Sequence, residues 1–221
     1  MTKFIRQISL DTETTGLDHQ KGHRIVEIGC IEIINRKITN NTFQTYLNPK
    51  KTIDKSATEI TGITNEFLEG KPKFEDIVDK FLEFISNSNA IIIHNANFDI
   101  NFINNELYII NHKIKDIKDH FTIFDTLKFS RQLYPGKKNN LNALCKRHNI
   151  NINERTLHGA LLDANLLAQV FLRMTSEQIN IKFINKKTEI NKNINRQILK
   201  ANKQELKKHI IYINKLKNKI L

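Results

Sequence analysis

Two carboxylates stand next to each other near the start of the chain. Asp11 and Glu13 follow residues 4–10, a segment that predicts a buried strand. Because residues i and i+2 of a strand project to the same face, the two carboxylates are expected to be neighbours. Adjacent anions repel unless they share a proton or a cation, and Mg²⁺ and Mn²⁺ prefer such oxygen ligands. The pair therefore predicts a divalent-cation site, with an ordinary solvated strand end as the alternative.

Three further residues of suitable chemistry occur later in the chain. Asp99 follows the apolar run 90–93, so its carboxylate is expected near the carboxyl end of a second strand. His158 and Asp163 are five positions apart, about 500° of helix, so they do not share a face if both are helical. We therefore expect His158 to precede a helix that carries Asp163, where an imidazole of pKa about 6.5 can accept a proton. The alternatives are a dipole-favoured Asp99 and an ordinary surface histidine.

The elements that position these residues follow from the periodicity of the chain. An initial antiparallel meander followed by alternating strands and helices predicts an α/β fold, with a mixed sheet covered by helices. The predicted strands are residues 4–10, 24–34, 37–47, 90–93 and 122–124, and the predicted helices are 74–85, 98–111, 126–133, 141–147 and 160–174.

Three segments in this order and spacing, DTETTG, HNANFD and HGALLD, resemble the three exonuclease motifs of the DEDDh 3′→5′ exonucleases. The segments IVEIG, YPGKKN, NALC and RTLHGALLDA extend the match over about residues 4–175. The chain is similar in particular to the proofreading subunits of replicative bacterial DNA polymerases. This resemblance implies an RNase H-like fold around a five-stranded mixed sheet.

The resemblance also implies roles for the site residues. Asp11, Glu13, Asp99 and Asp163 match the four acidic metal ligands, and His158 matches the general base. Two divalent cations, Mg²⁺ or Mn²⁺, would be bridged by Asp11, with Glu13 and Asp163 at one and Asp99 reached through water at the other. Two metals about 3.5 to 4 Å apart suit in-line hydrolysis of a phosphodiester. Asp11, Glu13 and Asp163 are also expected to contact the substrate.

The chain departs from the family at two positions. Thr61 stands where the family usually carries a histidine, and Ser56 stands where it often has glutamate. Since these positions face the terminal nucleotide in relatives, we expect Ser56 and Thr61 to bind substrate with weaker or rerouted hydrogen bonds. Thr61 as a neutral loop residue is the alternative. Residues 136–140, GKKNN, are a candidate phosphate-contacting loop, with a solvated turn as the alternative.

The charge of the chain is concentrated near its end. The formal net charge is +12, and 12 Lys and Arg against 2 Asp and Glu after Ile179 give that part alone +10. The same part contains neither Gly nor Pro. We therefore predict a folded exonuclease domain at residues 1–175 and a C-terminal basic segment at 176–221.

The basic segment has the features of a tether. Gln178, Ile181 and Phe183 fit the pattern of the peptide that docks replication proteins on the bacterial sliding clamp (beta). Beyond it, aliphatic residues recur at three- and four-residue steps among lysines, which predicts a basic amphipathic helix that folds on a partner. By resemblance, that partner is the polymerase catalytic (alpha) subunit, and a small third (theta) subunit is a further candidate. Direct DNA binding and lysine enrichment without function are the alternatives.

Composition excludes several classes of protein. No apolar run approaches the 18 to 20 residues needed to cross a bilayer, and the first residues do not form the apolar region of a signal peptide. Cys30 and Cys145 lie among apolar neighbours, so we expect two buried free thiols in a reducing, cytoplasmic compartment.

Together these features predict an enzyme that removes mismatched 3′-terminal nucleotides from single-stranded or frayed DNA ends as 5′-monophosphates. The first alternative is a standalone exonuclease similar to RNase T or oligoribonuclease, which would need no polymerase-binding extension. The second is a structural polymerase subunit whose activity has decayed, and the intact set of five site residues argues against it.

Overall fold

The computed structural model describes residues 5–152 and 157–184 together with residues 204, 207 and 209, and it describes side chains up to residue 176 in the second of these ranges. The chain divides into two compact units, Met1–Ile181 and Lys182–Leu221. The described elements belong almost entirely to the first unit. None of the described helices is both long enough and apolar enough to span a membrane.

A five-stranded mixed sheet forms the centre of the first unit, as predicted. The strand order is β3-β2-β1-β4-β5. β1 pairs antiparallel with β2, and β2 antiparallel with β3, whereas β1–β4 and β4–β5 are parallel. The turn between β2 and β3 places Asn35 and Arg36 at positive φ, as a tight two-residue hairpin requires. The strands are β1 (Arg6–Thr14), β2 (Ile25–Ile34), β3 (Lys37–Tyr46), β4 (Ala90–Ile93) and β5 (Ile123–Asp125).

Seven α-helices accompany the sheet within the described residues: α1 (Lys55–Thr61), α2 (Asn65–Leu68), α3 (Phe74–Ile85), α4 (Ala96–Ile109), α5 (Thr126–Leu133), α6 (Leu141–Arg147) and α7 (Ala160–Ile184). The predicted bounds of α3, α5 and α6 are confirmed, while α1 and α2 were not predicted.

Two helices differ in their bounds from the prediction. α4 begins two residues early because Asn95 adopts a left-handed conformation with φ of 64°, which turns the chain into the helix directly after β4. α7 continues ten residues beyond its predicted end, because no Gly or Pro follows Gly159 to stop it. The predicted boundary at residue 175 therefore falls inside α7, and the first compact unit ends at Ile181.

The two faces of the sheet are covered by different helices. Ile8 and Leu10 pack with α3 and α4 on one face, whereas Ile92 packs with α6 and α7 on the other. Cys30 and Cys145 are buried, one in each cluster, and neither forms a disulfide. The expectation of two buried free thiols is confirmed.

The start of α7 rests directly on β2. A β-carbon built on Gly29 would collide with the backbone of Ala160 and Leu161, so only glycine lets the helix approach this closely. Ser9 of β1 adds a hydrogen bond from its hydroxyl to the Ala164 carbonyl at 2.8 Å. These contacts fix α7 across the two central strands.

We predict that Gly29→Ala lowers the free energy of unfolding by roughly 1–3 kcal/mol, because the added methyl group meets backbone that cannot move without displacing α7. Gly70→Ala is the matched control, since nothing lies within 4 Å of a β-carbon there. Urea unfolding of both variants checks the prediction. Equal stability of the two variants would contradict close packing of α7 on β2.

Candidate active site

The carboxylates of β1 lie on the face of the sheet that α7 covers. Ser9 faces α7, and alternation along the strand places Asp11 and Glu13 on the same face. Both carboxylates are half-buried. The predicted pairing of these two residues on one face of a strand is what the structure shows.

Glu13, His158 and Asp163 meet at the carboxyl end of β1. Each offers one ligand atom, and these atoms all lie within 4.8 Å of one another. His158 lies two residues before α7, and its Nδ1 is 3.4 Å from Oδ2 of Asp163 in the first turn of that helix. The backbone N–H of His158 donates to the Ile60 carbonyl at 3.0 Å, which anchors the segment before α7 to α1.

Asp99 approaches the same strand from α4, on the opposite face of the sheet. It lies in the first turn of α4, only 3% exposed, and its Oδ1 accepts hydrogen bonds from the backbone N–H of Thr12 at 3.1 Å and from the Thr12 hydroxyl at 2.8 Å. Burial, and to a smaller extent the charge of Asp125, raise the pKa of Asp99 from 3.8 to about 7. The hydrogen bonds from Thr12 act in the opposite direction.

This arrangement fits a divalent cation. Two carboxylates and an imidazole converge at the end of β1. The Asp99 carboxylate, held by Thr12 of the same strand, is buried with a raised pKa, so it requires either a proton or a nearby positive charge. Oxygen-rich donor sets of this kind suit hard divalent ions. Glu13, His158 and Asp163 form the cluster that could hold such an ion, with Asp11 next to it on the same strand face.

Glu27 is a site residue that the sequence analysis did not identify. It lies opposite Glu13 in the β1–β2 pairing and is 1% exposed. Its side chain accepts hydrogen bonds from the backbone N–H of Ala160 at 3.0 Å and from Nε2 of Gln44 at 2.8 Å. Glu27 thus holds the first turn of α7, and with it the segment that presents His158. Its position as a lone charge inside the apolar segment IVEIG was the available signal.

The two departures from the family lie on α1. Thr61 is the last residue of α1 and is buried, and its hydroxyl donates to the Ala57 carbonyl at 2.9 Å and accepts from the backbone N–H of Ile63 at 3.2 Å. The alternative that Thr61 is a loop residue is wrong, because these two hydrogen bonds close the end of a helix. Ser56 is exposed in the first turn of α1.

The three predicted clamp-binding residues fall at the end of α7. The backbone of Gln178, Ile181 and Phe183 belongs to the helix, but their side chains lie outside the described residues. Most of the predicted amphipathic segment after residue 184 lies outside them as well.

A family model described as an exonuclease, RNase_T, matches residues 8–171. The chain is also 48% identical over 235 residues to the DNA polymerase III subunit epsilon of Buchnera aphidicola subsp. Schizaphis graminum (strain Sg), and the match covers 99% of this chain and 100% of the relative.

Two solved structures resemble the first unit. Exonuclease X in complex with 5′ overhanging duplex DNA has a TM-score of 0.60 and 28% identity, covering 78% of this chain and 92% of that one. The nuclease domain of 3'hExo, a DEDDh family member bound to rAMP, has a TM-score of 0.65 and 16% identity, covering 79% and 92%. At 16% identity, the second likeness concerns the fold alone.

We predict that Asp99→Asn stabilises the metal-free protein more at pH 8 than at pH 5. A carboxyl group whose pKa is raised by folding stabilises the fold below its unfolded pKa of 3.8, and this contribution is lost as the pH rises through about 7. Asparagine keeps an oxygen for the Thr12 donors and carries no charge. Thermal unfolding in the presence of a chelator at both pH values measures the difference.

Asp116→Asn is the control for this experiment. Hydrogen bonds from the backbone N–H of Lys118 and from Asn104 lower the pKa of Asp116, so loss of its charge removes stability at high pH. If the difference in unfolding temperature between Asp99→Asn and the parent protein is equal at pH 5 and pH 8, folding does not raise the pKa of the Asp99 carboxyl.

Proposed function

Because the chain belongs to the exonuclease family and, within it, to the DNA polymerase III epsilon subunits, we propose that it proofreads for the replicative polymerase. It is a metal-dependent 3′→5′ exonuclease with the RNase H-like fold that its motifs predicted. We propose that it hydrolyses mismatched 3′-terminal nucleotides to 5′-monophosphates. The observation that carries this proposal is the convergence of Glu13, His158 and Asp163 at the end of β1.

The site residues divide the work of hydrolysis. Asp11, Glu13, Asp99 and Asp163 would hold two divalent cations, Mg²⁺ or Mn²⁺, and these ions when bound would polarise the phosphodiester and activate water. His158 takes the proton of the attacking water, and the Asp163 carboxylate 3.4 Å away orients its imidazole and stabilises the charge that it acquires.

The proposed substrate is a single-stranded or frayed DNA 3′ end, since a mispaired terminus costs less to unstack than a paired one. Asp11, Glu13 and Asp163 would contact the scissile phosphate. The hydroxyl of Thr61 already serves the backbone of α1, so we assign to the exposed Ser56 the direct polar contact with the terminal nucleotide.

We place the chain in the cytoplasmic replisome, bound to the polymerase alpha subunit and to the beta sliding clamp. Residues 1–175 would act as the exonuclease domain and residues 176–221 as the tether. Gln178, Ile181 and Phe183 would bind the clamp, and the lysine-rich amphipathic pattern that follows would bind alpha. The small theta subunit is a third proposed partner.

We predict that Asp11→Ala and His158→Ala each reduce the removal of a mismatched 3′ nucleotide by at least about 100-fold, because each lacks a group that acts in the hydrolytic step. The measurement is single-turnover digestion of a labelled primer with Mg²⁺. His120→Ala, an exposed histidine before β5, should retain full activity. Activity of Asp11→Ala equal to that of His120→Ala would overturn the assignment of the cation site.

The same assay distinguishes DNA from RNA ends. The proposed proofreading activity requires faster degradation of mismatched DNA termini than of paired DNA termini or of matching RNA. Faster degradation of RNA would instead support the standalone RNA exonuclease.

We predict that the two parts of the tail can be inactivated separately. Gln178→Ala with Phe183→Ala should lose clamp binding and keep alpha binding, because only the clamp motif changes. Leu206→Asp with Ile210→Asp should lose alpha binding and keep clamp binding, because charges interrupt the apolar stripe of the amphipathic segment. Surface plasmon resonance against each purified partner provides the measurement. A variant pair that loses both partners together would contradict two separate binding segments.

A further inference from the structure

A basic cleft opens beside the active site. It has a volume of about 560 Å³ and is lined by the end of β4, by α5 and by the loop of residues 136–140. Arg131 and Lys137 supply its positive charge, and none of the described residues that line it is acidic. Within the described part of the chain, neither of these two cations takes part in an ion pair.

The cleft lies on the same side of the sheet as the catalytic carboxylates. Ser9 of β1 pairs with Ile92 of β4 on the face that α7 covers, and β4 ends at Ile93. His94 and Asn95 of the cleft therefore directly follow the carboxyl end of the strand next to β1, which carries Asp11 and Glu13. Neighbouring strands are about 4.8 Å apart, so the cleft opens beside the cation site.

The loop that carries Lys137 is held rigidly. The Asn139 amide donates to the carbonyls of Tyr134 at 3.2 Å and Lys137 at 3.0 Å. Arg147 of α6 donates to Oδ1 of Asn139 at 3.2 Å and to the Lys138 carbonyl at 2.9 Å. These four hydrogen bonds hold the backbone of the loop and its central side chain, Asn139, in one arrangement.

His94 joins this loop to α5. Its Nδ1 lies 2.9 Å from the Thr126 hydroxyl, and it also hydrogen-bonds the backbone of Asn139. Burial lowers the pKa of His94, and the charge of Arg131 lowers it further, against opposite effects of Asp125 and the Asn139 backbone. The imidazole is therefore neutral at neutral pH and acts as a brace, so the charge of the cleft comes from Arg131 and Lys137.

We propose that this cleft binds a backbone phosphate of the strand under degradation, on the 5′ side of the terminal nucleotide. The inference rests on the proposed exonuclease function and adds a second phosphate subsite to it. A guanidinium and an ammonium in a cleft whose described lining contains no acidic residue suit a phosphodiester oxygen. The degraded strand is the one whose backbone must pass the cation site, and the cleft lies next to that site.

The test uses the full-length chain with Arg131→Gln and Lys137→Gln together, assayed on two substrates. The first is a single-stranded DNA oligonucleotide, and the second is thymidine 5′-(4-nitrophenyl phosphate), which has only the scissile phosphate. For the oligonucleotide we expect KM to rise about tenfold. Its salt dependence should also weaken, with a log–log slope shallower by about 0.7 for one lost phosphate contact on a single strand. The ester should be hydrolysed at the parent rate.

Lys113→Gln with Lys115→Gln is the matched control. It removes the same charge beyond the carboxyl end of α4, which lies about 15 Å of helix away from Asp99, and should leave oligonucleotide KM unchanged. Hydrolysis of the ester also reports that the variants are folded.

Two results would overturn the subsite. They are an unchanged KM for the oligonucleotide and a loss of ester hydrolysis as large as the loss on the oligonucleotide. Failure of the proposed function has a different signature, because the parent protein would then hydrolyse neither substrate.

Discussion

Carboxylates crowded at the carboxyl end of β1 impose the constraint on which the rest of this structure depends. Asp99 and Asp163 are almost fully buried there, and Glu27 is buried on the adjacent strand. Burying an ionised group is costly unless hydrogen bonds or an opposite charge compensate. Glu27 receives hydrogen bonds from Ala160 and Gln44, and Asp99 receives two from Thr12, yet the pKa of Asp99 still rises to about 7. The part of this burial cost that hydrogen bonds do not offset favours the binding of divalent cations at the site.

The fold brings this crowding about with contacts that link distant parts of the chain. Gly29 allows α7 to rest on β2, Glu27 caps its first turn, and Thr12 fastens α4 to β1 from the other face of the sheet. Each contact joins a segment that bears site residues to the central strands. Their sequence separation of 87 to 133 residues means that the site forms only when the sheet is complete.

Much of this arrangement was predictable from the sequence, because period-two alternation around Asp11 and Glu13 fixes their common face and apolar runs mark β2 and β4. Less was predictable where local signals are weak. α1 has seven residues and only one of them is buried, so no periodic pattern reveals it, and the role of Thr61 at its end could not be deduced. Glu27 was missed because its partners are a backbone N–H 133 positions away and a side chain on the next strand.

The distribution of charge then explains how such a domain can act on DNA. Residues 1–179 carry a net charge of only +2, and the site itself is acidic, so the electrostatic attraction of the domain for a polyanion is small. In the proposed subsite, Arg131 and Lys137 would orient a strand, but two cations cannot hold it against physiological salt. The proposed tether would supply what these contacts lack, since attachment to a polymerase already on the primer would raise the effective concentration of the 3′ end without tighter binding. Weak intrinsic affinity has its own advantage for proofreading, because a correctly paired terminus is then released to the polymerase more often than it is degraded.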